Sequence, residues 1–168
     1  KNLLHIIATP RRVNDKPDKK LCERLADNLI RAGEGNWVSD DELFKEVFIE
    51  CSPQELVLVS RYYLQKTGNN IIDVIEKKTS GKNKSLLREI VYGTIIPHEL
   101  YAEKLRTSIK GLGTNTALLN RVLATRCEVD MPEINEIYEY KYNITLRDDI
   151  IGDTSGIYQK LCLYVAEC

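Results

Sequence analysis

The sequence predicts an all-α protein made of repeated helical units, and three observations carry that expectation. Apolar residues recur at helical spacing, as at Leu21, Leu25, Leu29 and Ile30, and no segment alternates as a half-buried strand would. Helix-length segments are punctuated by start signals such as Ser52-Pro53 and Pro97 and by glycine stops. The chain also repeats itself. An offset of 75 residues puts Ser39 on Thr114, Leu43 on Leu118, Val47 on Val122 and Tyr63 on Tyr138, with "TSG" at 79–81 falling on "TSG" at 154–156. From Ser39 to the end no gap is needed, and a repeat this long is a small helical subdomain rather than a two-helix unit of roughly 33–34 residues.

Each copy reads as five short helices. In the first copy Pro17 opens a helix that runs through Leu21, Leu25 and Leu29 and stops at Gly33. Ser39 is placed to cap the second helix, with Asp40, Asp41 and Glu42 suiting the positive end of its dipole. Ser52-Pro53 begins the third, which ends near Gly68; "IIDVIEKK" forms the fourth and "SLLREIVY" the fifth, stopped by Gly93. The second copy gives Pro97 to Lys110, Thr114 to Arg126, Asp130 to Tyr142, Thr145 to Ile151, and Ser155 to the end. Asp130 with Glu133 reads as a capping box. "KNLLHIIA" at the start aligns with "KSLLREIV" at 84–91, so residues 1–12 read as the final helix of a preceding repeat and its linker. The complete copies are then 13–93 and 94–168.

Composition narrows the function. The 168 residues are 43% hydrophobic, enough for a buried core in one domain or two small ones. A net charge of −1 provides no basic field for nucleic acid, and no apolar run is long enough to span a bilayer. No signal peptide is evident, and a chain opening on Lys1 is expected to be a piece of something longer. The five cysteines lack zinc-type spacing and read as reduced thiols of an intracellular protein. With two distant histidines, no Walker Lys-Ser/Thr pair and Asp148-Asp149 read as a solvated helix face, the expectation is that this is not an enzyme. Arg126 reads as a cap on helix C-terminal carbonyls.

Two connections stand out: "IKGLGT" at 109–114 and, forty residues on, "GDTSG" at 152–156. Alone, "GLGT" fits a glycine helix stop followed by a threonine N-cap. Together with "TRCEVDMPEINEIYEYKYNITLRDDIIGDTSG" and with "AGEGNW" before "SDDELF", the chain resembles the annexins along essentially its whole length, as the end of a second repeat followed by the third and fourth. That resemblance implies two complete annexin-type repeats of five short helices and calcium-dependent binding to anionic phospholipid through convex-face loops. It implies a cytoplasmic, peripheral protein whose fourth repeat holds Ca2+ through the carbonyls of Ile109, Gly111 and Gly113 and the carboxylate of Asp153. Calcium takes roughly six to eight oxygens, and glycines let successive carbonyls turn outward.

The third repeat departs from the family pattern. Its carbonyls would come from Gly33, Asn36 and Val38, but Lys78 in "EKKTSG" occupies the place of the carboxylate and offers no lone pair. Weak calcium binding or none is expected there. Two readings remain for Lys77, Lys78 and Lys82 with Trp37: a lipid-contacting set, joined by Leu112 from the other repeat, or a solvated charge run beside a partly buried tryptophan. The alternative function is a calcium-independent annexin-fold scaffold, associated with a cytoskeletal protein. Expected partners are the membrane surface and either the missing N-terminal repeats or a second copy.

Overall fold

The computed structural model describes residues 16–34, 36–38, 40–111 and 113–167, without the side chains of Val38 and Asp41. The expected helix over 1–12, the Ser39 cap, Leu112 and Cys168 lie outside the described residues. Among those described there are α-helices and no strand, so the fold is all-α. The chain divides into two compact units between Ile95 and Ile96.

The first unit begins with α1 (Lys19–Ala32), capped by the Asp18 carboxylate, which accepts from the Lys20 and Leu21 amides at 3.0 and 3.2 Å. Cys22, Leu25, Ala26 and Leu29 recur at three- and four-residue steps and form its buried stripe. A single 3-10 turn, Asn36–Val38, leads to α2 (Asp41–Phe44), where Asp40 caps the Leu43 amide at 3.0 Å. The helix then widens into a π-helical stretch, Lys45–Glu50. The third helix, α3 (Pro53–Thr67), opens on a full Ser52/Glu55 capping box and closes on Gly68 in the left-handed conformation. Then come α4 (Ile71–Lys78) and α5 (Gly81–Ile95). Gly93 does not stop α5; the helix runs through it, and the stop comes at the following Pro97, which starts the next helix. Helix α1 packs chiefly on α3, and α4 and α3 both pack on α5, around Trp37, Phe48, Leu56, Val59, Ile75 and Leu87. Burial of each such side chain contributes about 1.5–3 kcal/mol.

The second unit holds α6 (Pro97–Ile109), α7 (Thr116–Arg126), α8 (Met131–Tyr142), α9 (Leu146–Asp153) and α10 (Gly156–Ala166). Helix α6 is the spine: α7, α8 and α9 all pack on it, and α10 closes over α7 and α9. Leu105, Ile109, Leu119, Met131, Ile134, Tyr138 and Ile150 form the core. Two expected caps fall elsewhere. Asp130 makes no side-chain cap to α8 and pairs instead with Arg126 and His98. Arg126 likewise spends its guanidinium on Asp130 and on the face of Tyr101, 4.4 Å from the ring centroid, and not on carbonyls. Cys22, Cys51 and Cys162 are buried, and burial pushes the Cys22 thiol up to about 11.

Candidate metal centre

The loop after α6 is closed by backbone first. Lys110 donates its amide to the Arg106 carbonyl at 2.8 Å, and the Asn115 amide reaches back to the Ser108 carbonyl at 2.7 Å. Between those closures the chain must reverse within a few residues, and Gly113 takes φ +87°, which a side chain would resist. A β-carbon at Gly111 would lie 3.9 Å from the Gly113 carbonyl oxygen, an ordinary contact distance. Helix α6 leaves its last carbonyls without intrahelical partners, that of Ile109 at the very end.

Helix α9 brings the carboxylate. Asp153 is its last residue, and Thr114 Oγ1 donates to Asp153 Oδ2 at 2.6 Å and approaches its carbonyl at 3.2 Å. Thr114 therefore is not the N-cap of α7; Asn115 takes that role, its Oδ1 accepting from the Leu118 amide at 3.1 Å. The two loops that stood out in the sequence do meet, and Thr114 joins them.

A second carboxylate lies one turn back on the same face of α9. Asp149, expected on a solvated face, is 1% exposed. It accepts from Tyr138 of α8 at 2.5 Å and pairs with Arg106 of α6, and Lys110 Nζ lies 2.8 Å from Oδ1 as an ion pair rather than an aligned hydrogen bond. Burial alone would raise the Asp149 carboxyl, but the Lys110 and Tyr138 contacts and the Arg106 charge outweigh it and hold the group below the ordinary aspartate value. Burial and donation to Asp149 push the Tyr138 phenol up. Sequence reasoning missed this cluster; its only signal was the four-residue spacing of Asp149 from Asp153 and of Arg106 from Lys110.

In the first unit the corresponding loop is closed by hydrogen bonds to the Ile30, Ala32 and Gly33 carbonyls. Gly33 donates its amide to Ile30, Asn36 its side-chain amide to the Ala32 carbonyl at 3.0 Å, and the Asn36 backbone amide goes to the Gly33 carbonyl. Trp37 is wholly buried, its indole N–H donating to the Leu29 carbonyl at 3.0 Å, with Tyr63 edge-on at 5.6 Å. This corrects the reading of Trp37 as a membrane contact: a large ring with a satisfied N–H is core. Lys77, Lys78 and Lys82 are exposed, whereas Lys84 is tied to Glu76 at 2.7 Å.

The annexin family model matches residues 24–90 and 101–165. The chain belongs to the annexin family. Human annexin A13 is 34% identical over 161 residues, covering 96% of this chain and 51% of the relative. Among solved structures, annexin III aligns with a TM-score of 0.82 at 31% identity, covering 94% of this chain and 49% of that one. Calcium-bound annexin (Sm)1 aligns at 0.79 and 30%, covering 92% and 42%. This annexin thus spans about half the length of the relatives it matches.

The donor set in its second unit fits a hard cation. Among the described residues no three His, Cys, Asp or Glu side chains converge, so a cation held here would take most of its oxygens from backbone carbonyls. Asp153 sits at the negative end of the α9 dipole with no basic residue in the last turn, an unfavourable place for an anion that a cation offsets.

Proposed function

We propose that this annexin binds calcium through its second unit and, by it, anionic phospholipid at the cytoplasmic face of a membrane. Its two units are then the third and fourth repeats of a longer chain. The carbonyls of Ile109, Gly111 and Gly113 and the carboxylate of Asp153 hold the ion. Bound calcium supplies the positive centre that a lipid phosphoryl oxygen shares. The remaining roles belong to protein groups: Gly111 and Gly113 permit the carbonyls to face outward, and Thr114 orients the carboxylate at the edge of the loop. Leu112 is the apolar contact with lipid that the family resemblance implies. The observation that carries this reading is the 2.6 Å bond from Thr114 to Asp153, which puts a carboxylate against the glycine loop.

The test is calorimetric titration of calcium into the chain and into Asp153→Ala, followed by pelleting with phosphatidylserine vesicles. A single binding event and calcium-dependent pelleting, both lost in the variant, are expected. Heat that persists in Asp153→Ala would place the ion elsewhere.

One observation favours a second reading, a calcium-independent scaffold that engages cytoskeletal protein. The first unit carries Lys78 where the second carries Asp153, and of its loop carbonyls that of Gly33 already accepts the Asn36 amide. Absence of calcium heat in both proteins would make the scaffold the better account. Within the calcium reading, exposed Lys77, Lys78 and Lys82 serve as direct contacts to anionic headgroups.

A further inference from the structure

We propose that Asp149 and Lys110 are positioning residues, a clamp anchored on the buried Asp149 that holds the 110–114 loop in its cation-accepting shape; the proposal rests on the calcium reading above. Helix α9 places Asp149 and Asp153 one turn apart on one face, and the two carboxylates grip opposite ends of the same short loop. Asp149 holds Lys110 at the start, 2.8 Å from Nζ, and Asp153 holds Thr114 at the finish, 2.6 Å from Oγ1. The inner anchor is fixed from three helices: it sits on α9, receives Tyr138 from α8 and pairs with Arg106 from α6. Loop shape between Lys110 and Thr114 is therefore set by two points, one of them deep in the core.

The first unit acts as a comparison inside the same chain. At the 75-residue offset, Asp149 corresponds to Val74, which is buried, and Asp153 to Lys78. Tyr63, the counterpart of Tyr138, packs on Trp37, and in sequence register the place of Asp149 is taken by the apolar Val74. The unit that lacks the rim carboxylate lacks the clamp as well. Val74 shows that packing at this position accepts an apolar side chain, and a buried ion pair seldom gains stability over a well-packed apolar replacement. The first unit's bundle closes without an aspartate there; in the second, Asp149 anchors the loop.

The experiment compares the chain with Lys110→Met and Lys110→Arg. Lys110 is half exposed at its side chain, so its loss leaves Arg106 and Tyr138 on Asp149 and the core intact. Expected for Lys110→Met are calcium binding about tenfold weaker, the size typical of outer-shell partners, and exchange of the Gly111, Gly113 and Thr114 amides about fivefold faster in calcium-free buffer, as loss of one ion pair allows. The melting temperature stays unchanged, and Lys110→Arg restores both readouts. Removing a positive charge near a cation predicts the opposite sign, tighter binding, if Lys110 acts only electrostatically; that result overturns the clamp. If the unmodified chain gives no calcium heat, the calcium reading fails, and amide exchange alone decides: faster exchange in Lys110→Met supports the clamp, unchanged exchange refutes it.

Discussion

Trp37 and Thr114 change roles between sequence and structure, each for a reason of hydrogen bonding. Trp37 is the chain's one tryptophan, and its ring lies against Tyr63 and Phe48 with the N–H on a helix carbonyl. Trp37→Ala removes that ring from a closed core and is expected to cost about 3–5 kcal/mol in urea unfolding. In the intact chain, Trp37 emission is expected to stay the same when phosphatidylserine vesicles are added, with or without calcium. Quenching by a lipid-borne quencher would show that the indole leaves the core and reaches the bilayer. Thr114 has a hydroxyl suited to capping, yet Asn115 is one residue nearer the helix and takes the cap. That frees Thr114 for Asp153, a partner 39 residues away that no local rule identifies.

Helices α4 and α9 occupy the same place in the two copies and end with opposite charges. Lys77 and Lys78 close α4, favourable at the negative end of a helix dipole, whereas Asp153 closes α9, unfavourable there. Lys78 thus serves its helix, while Asp153 is retained against helix preference. Lys78→Asp is expected to destabilise the first unit by about 0.3–1 kcal/mol through the dipole and to create no second calcium event, because the Gly33 carbonyl already accepts the Asn36 amide and Val38 stands where the second unit has Gly113. The same variant should pellet less with anionic vesicles in calcium-free buffer, by about the 1 kcal/mol each surface lysine contributes. New calcium heat in Lys78→Asp would mean that only the carboxylate was missing; undiminished pelleting would remove Lys78 from the lipid contact.

Across the whole molecule, Glu76 in the first unit and Asp149 in the second are both held below their ordinary values, so acid acts on both. Burial would raise Glu76, but Lys84, Tyr92 and Arg88 pull it down from 4.5 to about 2. Asp149 is likewise held below its ordinary 3.8. A carboxylate depressed in the folded state stabilises it above the unfolded value, and that contribution is lost as pH falls toward the folded one. Urea midpoints are therefore expected to decline from about pH 4.5 toward pH 2, where Glu76 finally protonates. Asp149→Asn should lower stability at pH 7 by about 3 kcal/mol, leaving Arg106 short of its counter-charge, and should flatten the acid decline of the second unit. A decline as steep as in the unmodified chain would show that Asp149 is not the group that titrates.

Much of this was legible from residue order, because helices are local. The 3.6-residue stripe of Cys22, Leu25 and Leu29, the Ser52/Glu55 box and the Gly68 stop depend on neighbours a turn away. The 75-residue offset and the glycine loop with its later aspartate marked the family and the candidate ligands. Gly93, Asp130 and Arg126 were misread because a helix can absorb a glycine at about 1 kcal/mol and because charged side chains choose the nearest partner in space. Which of two adjacent aspartates is buried could not be read at all. Asp148 and Asp149 look alike in sequence, but a helix turns about 100° per residue, and only packing of α9 against α6 and α8 points the second toward Arg106, Lys110 and Tyr138. The sequence by itself determined the helices, the repeat and the place of the loops. Tertiary structure alone decided that Thr114 meets Asp153, that Trp37 is core and that Asp149 is buried, since each depends on side chains brought together from distant parts of the chain.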